Sequence, residues 1–251
     1  MTSTSKIWID PLSARSLFVE TYFGSTPLAT ASGFIVQKGG ADSLITNWHV
    51  VSGRDPDTEQ PLSSTAGIPD TIHIRHHARA GLGSWKSVAE PLYDNSTPRW
   101  YEHSNGRSVD VVALPLRNTP PDVELYPMDL ALADVDIRPH PGIPVAIIGF
   151  PFGLAAAGAW PIWKTGHIAT DSDIDYQAGR PAFLIDATTR SGMSGSPVVI
   201  RISGSYTDSK GNLIVSPGVH TRFLGVYSGR IHGEAEIGRV WRASVLRQIL
   251  P

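Results

Sequence analysis

The apolar residues of this 251-residue chain occur in short runs that glycines and prolines interrupt. The sequence holds 24 Gly and 20 Pro, residues that favour turns and weaken helix interiors. Short apolar runs between turns are typical of β-strands in sandwiches and barrels. This pattern predicts an all-β fold. The predicted strands are Ser16–Phe23, Ala31–Gln37, Ser43–Ile45, Thr71–Arg75, Trp85–Glu90, Val111–Leu116, Pro144–Phe150, Ile162–Ala169, Ala182–Asp186, Pro197–Ile202, Leu213–Val215 and Phe223–Tyr227.

A proline-rich stretch between Arg117 and Gly142 divides the predicted strands into two groups. Proline has no amide hydrogen to donate and fixes φ, so this stretch is expected to be a linker rather than part of a sheet. About six strands on each side of it predict two six-stranded antiparallel β-barrels. The first barrel is expected within residues 1–120 and the second within residues 121–251.

The chain ends with a segment of different periodicity, Arg239–Leu250. Its apolar residues recur at helical spacing, which predicts an amphipathic α-helix. We expect this C-terminal helix to dock onto a barrel.

Composition excludes several classes of function. With no cysteine, the chain has no disulfide framework, no thiol nucleophile and no thiolate metal site. The net charge of −2 gives no general attraction to nucleic acid or to an anionic membrane, so neither is expected as a partner. Met1–Asp10 holds no apolar run of signal-peptide length, which favours a cytoplasmic location. Nothing in the composition indicates an oligomeric state.

Three histidines near one another, His73, His76 and His77, raise the question of a metal site. They fall on a predicted strand, where side chains alternate between the two faces. His76 should therefore face away from the other two. We expect solvated histidines here, and neither a metal site nor a cofactor.

Three residues in three separate segments carry groups suited to catalysis. His49 follows the apolar strand ending at Ile45, and Asp110 precedes the apolar strand beginning at Val111. Ser194 lies in the segment Arg190-Ser191-Gly192-Met193-Ser194-Gly195-Ser196-Pro197, with glycines close on both sides. Glycines let a backbone turn tightly, direct its N–H groups inward and leave room for a substrate carbonyl. Each segment alone has an ordinary structural interpretation, as a core histidine, a strand end or a turn.

The order of the three residues strengthens the catalytic interpretation. Histidine, aspartate and serine follow one another as in chymotrypsin, and not as in subtilisin or the α/β-hydrolases. His49 and Asp110 fall in the first half-chain and Ser194 in the second. A catalytic triad at the seam between two barrels requires this division.

The motifs resemble those of chymotrypsin-clan (trypsin-like) serine proteases, in particular the cysteine-free bacterial branch. Thr46-Asn47-Trp48-His49-Val50-Val51 resembles the histidine motif of Deg (HtrA-type) proteases. Gly192-Met193-Ser194-Gly195-Ser196-Pro197-Val198 is similar to the serine motif of glutamyl endopeptidases. The resemblance covers nearly the whole chain, from about Ala31 to its end. It implies a chymotrypsin-like double barrel and a serine endopeptidase acting on proteins or peptides.

The resemblance also implies roles for individual residues. His49 would be the general base, Asp110 would orient it, and Ser194 would be the nucleophile of an acyl-enzyme mechanism. The backbone N–H groups of Gly192 and Ser194 would form the oxyanion hole. Ser228 and Gly229 match the strand that pairs with the substrate backbone, and the Ser228 hydroxyl is a candidate support for Asp110.

We expect residues behind the nucleophile to determine which substrate side chain is accepted. Thr188 is at the position where trypsins place an aspartate, and Gly238-Arg239-Val240 matches the back of the specificity pocket. Neither supplies an acid, so preference for Lys or Arg is disfavoured. Glutamyl enzymes have a histidine where this chain has Tyr227, so a preference for acidic residues is not indicated either.

Two other functions are compatible with the same motifs. One is a catalytically inactive protease-like binding module, and the other is an esterase that uses the same triad. An activated serine would distinguish an enzyme from the inactive binding module. A preference for extended peptides would distinguish a peptidase from an esterase.

Overall fold

The computed structural model describes residues 7–251. Their first half forms short helices, one large sheet and a separate two-stranded sheet. The elements are α1 (Pro11–Arg15), β1 (Ser16–Phe23), β2 (Thr26–Lys38), β3 (Ala41–Thr46), α2 (Trp48–Ser52), β4 (Thr71–Ala78), β5 (Trp85–Pro91), β6 (Tyr93–Asp94), β7 (Thr97–Pro98), β8 (Tyr101–Glu102), β9 (Val112–Pro115) and β10 (Val123–Glu124). The two-stranded sheet consists of β6 and β7.

The first sheet is antiparallel and follows the order β10-β4-β1-β2-β3-β9-β8, with β5 also paired to β4. Its centre is the β1–β2–β3 meander, in which Phe34 is paired with Ser16 on one side and Ile45 on the other. The six strands predicted from the sequence are all present. The sheet gains the two-residue strands β8 and β10, which are too short to show the period-2 alternation that identifies a strand.

The second half forms a closed barrel. Its elements are β11 (Pro144–Gly149), β12 (Ile162–Ile168), β13 (Ala182–Asp186), β14 (Pro197–Thr207), β15 (Leu213–Arg230), β16 (Ile237–Arg242) and α3 (Leu246–Ile249). The six strands pair antiparallel in the order β11-β12-β13-β16-β15-β14. The predicted all-β fold with a C-terminal helix is confirmed.

A hydrophobic cluster joins the two halves. It contains Phe34 and Val111 from the first half together with Ile148 and Phe223 from the second, all at most 1% exposed. Phe34 and Phe223 meet edge to face, with ring centroids 5.6 Å apart. Each half also has its own buried cluster. Burial of apolar surface on both sides of the seam holds the two halves in a fixed relation, so residues on their facing edges can form one site.

The C-terminal helix is shorter than predicted. Residues Ile237–Arg242 form β16, which pairs with β13 and β15, and a 3₁₀ turn at Ala243–Val245 leads into α3. The predicted start at Arg239 is therefore wrong. The barrel needs a sixth strand between β13 and β15, and this pairing overrides the helical spacing of the apolar residues. No helix within residues 7–251 is long and apolar enough to cross a bilayer.

The prediction of solvated histidines on β4 is also wrong. His76 and His77 are each 1% exposed. The His77 ring stacks on Trp85 at 4.0 Å between centroids, and its Nε2 lies 3.0 Å from the carbonyl oxygen of Ala14. Burial, together with the nearby His77, lowers the pKa of His76 to about 4. Aromatic packing explains the burial of His77, while His76 lies on the opposite face of the strand with the buried Ile72 and Ile74. In the described part of the chain, no three metal-ligating residues are grouped to hold an ion.

Candidate active site

His49 lies in the first turn after β3, within the short helix α2. Gly53 ends this helix with a left-handed φ of 66°, and its N–H donates to the carbonyl oxygen of His49 at 3.0 Å. Glycine adopts this conformation without the strain that a Cβ would add. The end of the strand, the short helix and its glycine cap together fix the position of the imidazole at the seam.

Asp110 is buried beside His49, with 1% of its surface exposed. Its Oδ2 lies 2.7 Å from His49 Nδ1, and its Oδ1 accepts the His49 backbone N–H at 2.9 Å. The Ser228 hydroxyl donates to the same Oδ2 at 2.6 Å. Asn47 donates its side-chain amide to the Asp110 carbonyl oxygen at 2.6 Å. These contacts hold the carboxylate in one orientation toward the imidazole.

The environment of His49 sets its protonation. Burial by itself lowers the pKa of His49, but the charge of Asp110 and its hydrogen bond act in the opposite direction, and the pKa is raised above the ordinary value of 6.5. Because Nδ1 faces Asp110, that nitrogen carries the proton in the neutral ring, which leaves Nε2 free to accept one.

Ser194 lies in a tight loop that two glycines shape. Gly192 and Gly195 have φ values of 91° and 85°. A Cβ at Gly192 would lie 2.3 Å from the Phe150 carbonyl oxygen, and one at Gly195 would lie 2.1 Å from the Ser32 carbonyl oxygen. Only glycine fits at both positions. The Gly195 N–H donates to the carbonyl oxygen of Tyr227 at 2.9 Å, which attaches the loop to β15.

The predicted oxyanion donors are free to receive a ligand. Within residues 7–251, the backbone N–H groups of Gly192 and Ser194 donate to no protein acceptor. His49, Gly192 and Ser194 line one cavity of about 430 Å³. No hydrogen bond joins the His49 ring to the Ser194 hydroxyl in the described residues, a contact that in such sites often tightens only around substrate.

A buried serine that the sequence did not single out supports this loop. Ser32 is fully buried in β2. Its hydroxyl donates to the Gly192 carbonyl oxygen at 2.9 Å and accepts the Phe150 N–H at 3.1 Å, while its own N–H donates to the Ser194 carbonyl oxygen at 2.8 Å. A polar residue within the apolar strand predicted at Ala31–Gln37 was the available signal. Ser32 connects the first half of the chain to the nucleophile loop.

We expect Ser32→Ala to lower kcat about tenfold and to lower the free energy of unfolding by about 1–3 kcal/mol, because both Gly192 and Phe150 lose a buried partner. Ser43→Ala is the matched control, since Ser43 is equally buried in β3 and its hydroxyl has no hydrogen-bond partner in the described part of the chain. Steady-state kinetics and thermal unfolding measure both effects. Equal kcat in the two variants would show that Ser32 does not position the loop.

The residues expected to bind substrate lie on the second barrel, near its seam. Ser228 and Gly229 are half-buried on β15 and border a second cavity next to His49. Tyr227 is 1% exposed, and its hydroxyl bonds to Thr189. Thr188 is exposed, so Thr189 rather than its neighbour faces Tyr227.

Comparison with known proteins agrees with this geometry. A family model for the trypsin-like peptidase domain matches residues 31–205, a range that contains His49, Asp110 and Ser194. None of the curated protein sequences compared with the chain matches it significantly.

Three solved structures share the fold. The inactive form of a serine-to-alanine mutant of Rv3671c from Mycobacterium tuberculosis is 17% identical, with a TM-score of 0.50 over 95% of this chain and 86% of that one. The HtrA-type protease AlgW with a tripeptide is 16% identical, with a TM-score of 0.53 over 94% and 58% of the two chains. A serine endoprotease from Yersinia pestis is 15% identical, with a TM-score of 0.50 over 98% and 66%.

The family model spans most of the chain, and the residues it matches include those that meet at the seam. The chain therefore belongs to the trypsin-like peptidase family and is a serine endopeptidase.

Proposed function

We propose that the chain hydrolyses internal peptide bonds of proteins or peptides through an acyl-enzyme intermediate, with Ser194 as nucleophile, His49 as general base and Asp110 as its orienting partner. The observation that carries the proposal is the buried Asp110 carboxylate, which accepts both the His49 Nδ1–H and the Ser228 hydroxyl. A carboxylate held in this way fixes the tautomer in which Nε2 can take a proton.

The reaction follows from these contacts. As Ser194 Oγ attacks the carbonyl carbon, His49 Nε2 takes the hydroxyl proton. The Gly192 and Ser194 N–H groups, which have no protein acceptor within residues 7–251, then donate to the oxyanion that forms. His49 returns the proton to the leaving nitrogen as the C–N bond breaks. A water molecule attacks the acyl-enzyme in the same way, and Ser194 is regenerated.

The direct test of the function compares peptides with small esters. Full-length protein is assayed on casein, on a diverse peptide pool and on simple acyl esters, each with Ser194→Ala as the blank. We expect peptide cleavage that the blank lacks. Hydrolysis of esters alone would identify an esterase, and no turnover of any substrate by folded protein would identify a binding module.

We expect kcat/KM to rise with pH in a single step whose midpoint lies above 6.5. The reason is that only neutral His49 can accept a proton, and the Asp110 carboxylate raises the pKa of His49 above that value. A pH–rate profile between about pH 5 and pH 9 measures the step. A flat profile would exclude His49 as the base.

Protonation of His49 has opposite effects on activity and on the stability of the fold. Because the folded protein holds the His49 proton more tightly than the unfolded chain, the His49⁺–Asp110⁻ pair contributes stability below pH 6.5. That contribution is lost as pH rises through the folded pKa. The pair is therefore most stabilising where the enzyme is least active.

A further inference from the structure

Two cavities lie on either side of His49. The larger, of about 430 Å³, is bordered by β2, the end of α2 and the Ser191–Ser194 loop. The other, of about 330 Å³, is bordered by Ser228 and Gly229 on β15. His49 lines both cavities, and Ser194 lines the larger. A substrate bound across His49 and Ser194 therefore has a cavity available on each side of the scissile bond.

The leaving group belongs in the larger cavity. The substrate backbone before the scissile bond is expected to pair with β15 at Ser228 and Gly229, which border the smaller cavity. His49 returns its proton to the leaving nitrogen, which must therefore lie on the side of the imidazole away from β15. This assignment rests on the proposed function.

The walls of the two cavities differ in chemistry. Among described residues, the larger cavity has no Asp, Glu, Lys or Arg in its lining, and its apolar wall consists of Leu28, Ala29, Ala31, Val50, Leu62 and Pro69. The smaller cavity is lined by Asp55, Asp57, Arg230 and Arg239 as well as by Asp110. The smaller cavity also has apolar residues, Pro56, Ile231 and Leu62, the last of which borders both cavities. The larger cavity is the more favourable place to bury an apolar side chain, because none of the described residues in its lining carries a charged side chain.

The residues of the apolar wall are closely packed against their neighbours. Gly67 packs against Leu28, where a Cβ would lie 2.8 Å from Leu28 Cδ2. Gly53 packs equally closely on Pro69, where a Cβ would lie 2.5 Å from Pro69 Cδ. These close approaches leave little freedom for the wall, and a preformed apolar cavity with a few polar groups is typical of a ligand site.

We propose that the enzyme selects substrates on the leaving-group side, through a large apolar side chain on the first or second residue after the scissile bond. The cavity bordered by Leu28, Val50, Leu62 and Pro69 receives this side chain. Leucine, methionine and phenylalanine have the size and character that the cavity accepts.

The test uses quenched peptides with a constant acyl side and Gly, Ala, Leu, Phe, Asp or Lys at the first or second leaving residue. The active-site concentration is titrated beforehand. We expect kcat/KM for Leu or Phe to exceed that for Gly at least about tenfold at one of the two positions. We expect Leu28→Ala to reduce that ratio about fivefold or more.

Leu213→Ala is the matched control, because Leu213 is 69% exposed on the distal hairpin of β14 and β15 and borders neither cavity. Equal rates for Gly and Leu peptides in titrated enzyme would overturn the proposal while leaving the proposed function intact. Equal loss of the ratio in Leu28→Ala and Leu213→Ala would also overturn it. Failure of the active-site titration would count against the proposed function itself.

A separate observation concerns the residue before the scissile bond. Tyr227 is held behind the nucleophile loop, since its N–H donates to the Ser196 carbonyl oxygen at 2.9 Å. Its ring lies against Gly238, where a Cβ would be 2.5 Å from Tyr227 Cε2, and its hydroxyl bonds to Thr189. The ring therefore spans the space between the nucleophile loop, β15 and β16, where a substrate side chain would enter.

Three charged residues act on Tyr227, namely Arg190, Glu236 and Arg230, and the exposed Arg230 donates to the Gly233 carbonyl oxygen at 2.7 Å. Arg190 pairs with Glu236, at 3.1 Å and 3.2 Å to its two carboxylate oxygens, and also donates to the Thr189 carbonyl oxygen at 2.7 Å. Burial raises the pKa of Tyr227 to about 12, so the phenol stays neutral. Because Arg190 and Glu236 neutralise each other and the phenol is uncharged, none of these three groups offers a free charge to a substrate side chain.

From this geometry we infer that Tyr227 closes the specificity pocket and restricts the residue before the scissile bond to Gly, Ala or Ser. Peptides that differ only at that residue should be cleaved at least about a hundredfold faster with Ala than with Phe or Glu. Tyr227→Val should reduce the Ala-to-Phe ratio at least about tenfold. Rapid cleavage after Phe or Glu by the unaltered enzyme would overturn the inference, whether or not the variant folds.

Discussion

Replacing Ser194 with alanine is expected to lower kcat for peptide hydrolysis by a factor on the order of 10⁶. The variant lacks the atom that attacks the carbonyl, so His49 and Asp110 have no nucleophile to activate. The fold should be unaffected, because the Ser194 hydroxyl has no hydrogen-bond partner within residues 7–251 and the glycines that shape its loop remain. The free energy of unfolding should change by less than about 0.5 kcal/mol.

Ser209→Ala is the control for this change. Ser209 is an exposed serine in the turn between β14 and β15, where its N–H donates to Asp136. Loss of the Ser209 hydroxyl should alter neither activity nor stability. Steady-state kinetics with thermal unfolding separates the two variants. Undiminished peptide cleavage by folded Ser194→Ala would contradict the assignment of the nucleophile.

Asp110→Asn is expected to lower kcat by about 10⁴. An asparagine amide facing His49 Nδ1 donates where the carboxylate accepted, so the ring is driven to carry its proton on Nε2. That tautomer cannot accept the Ser194 proton. Loss of the negative charge also removes the cause that raises the pKa of His49, so the residual activity should reach half its maximum at lower pH.

Ser228→Ala is expected to lower kcat less than Asp110→Asn does. It removes one hydrogen bond to Asp110 Oδ2 and leaves the charge in place, so a loss of about tenfold is expected. The pH–rate profiles of both variants distinguish an orienting role from a structural one. A kcat for Asp110→Asn within tenfold of the unaltered enzyme would show that Asp110 does not orient the base.

Much of the strand content was predictable because the strands are short apolar runs bounded by turn residues. The bounds predicted for β1 and β13 are those of the structure. β15 was predicted as two separate strands because Pro217 and Gly218 interrupt its pattern. The structure keeps one long strand through them, on an exposed part of the sheet where proline is tolerated.

The site was predictable to the extent that chain order and local motif determine it. His49 and Asp110 were predicted to meet, and the structure places them 2.7 Å apart. The contacts of Ser32 and Thr189 depend on how distant segments pack, and neither residue belongs to a motif that reveals them. Thr188 was chosen over Thr189 by position relative to Ser194, and both lie in the loop after β13, whose conformation decides which of the two faces inward.

The measurement that tests the central claim most directly is covalent labelling of the full-length protein with a fluorophosphonate probe, followed by peptide mapping by mass spectrometry. Reaction requires a serine activated by its base. The account predicts one adduct per chain, on Ser194, that forms much more slowly in Asp110→Asn and not at all in Ser194→Ala. A folded protein that takes up no probe, or that carries the adduct on another residue, would contradict the claim that His49, Asp110 and Ser194 form a working triad.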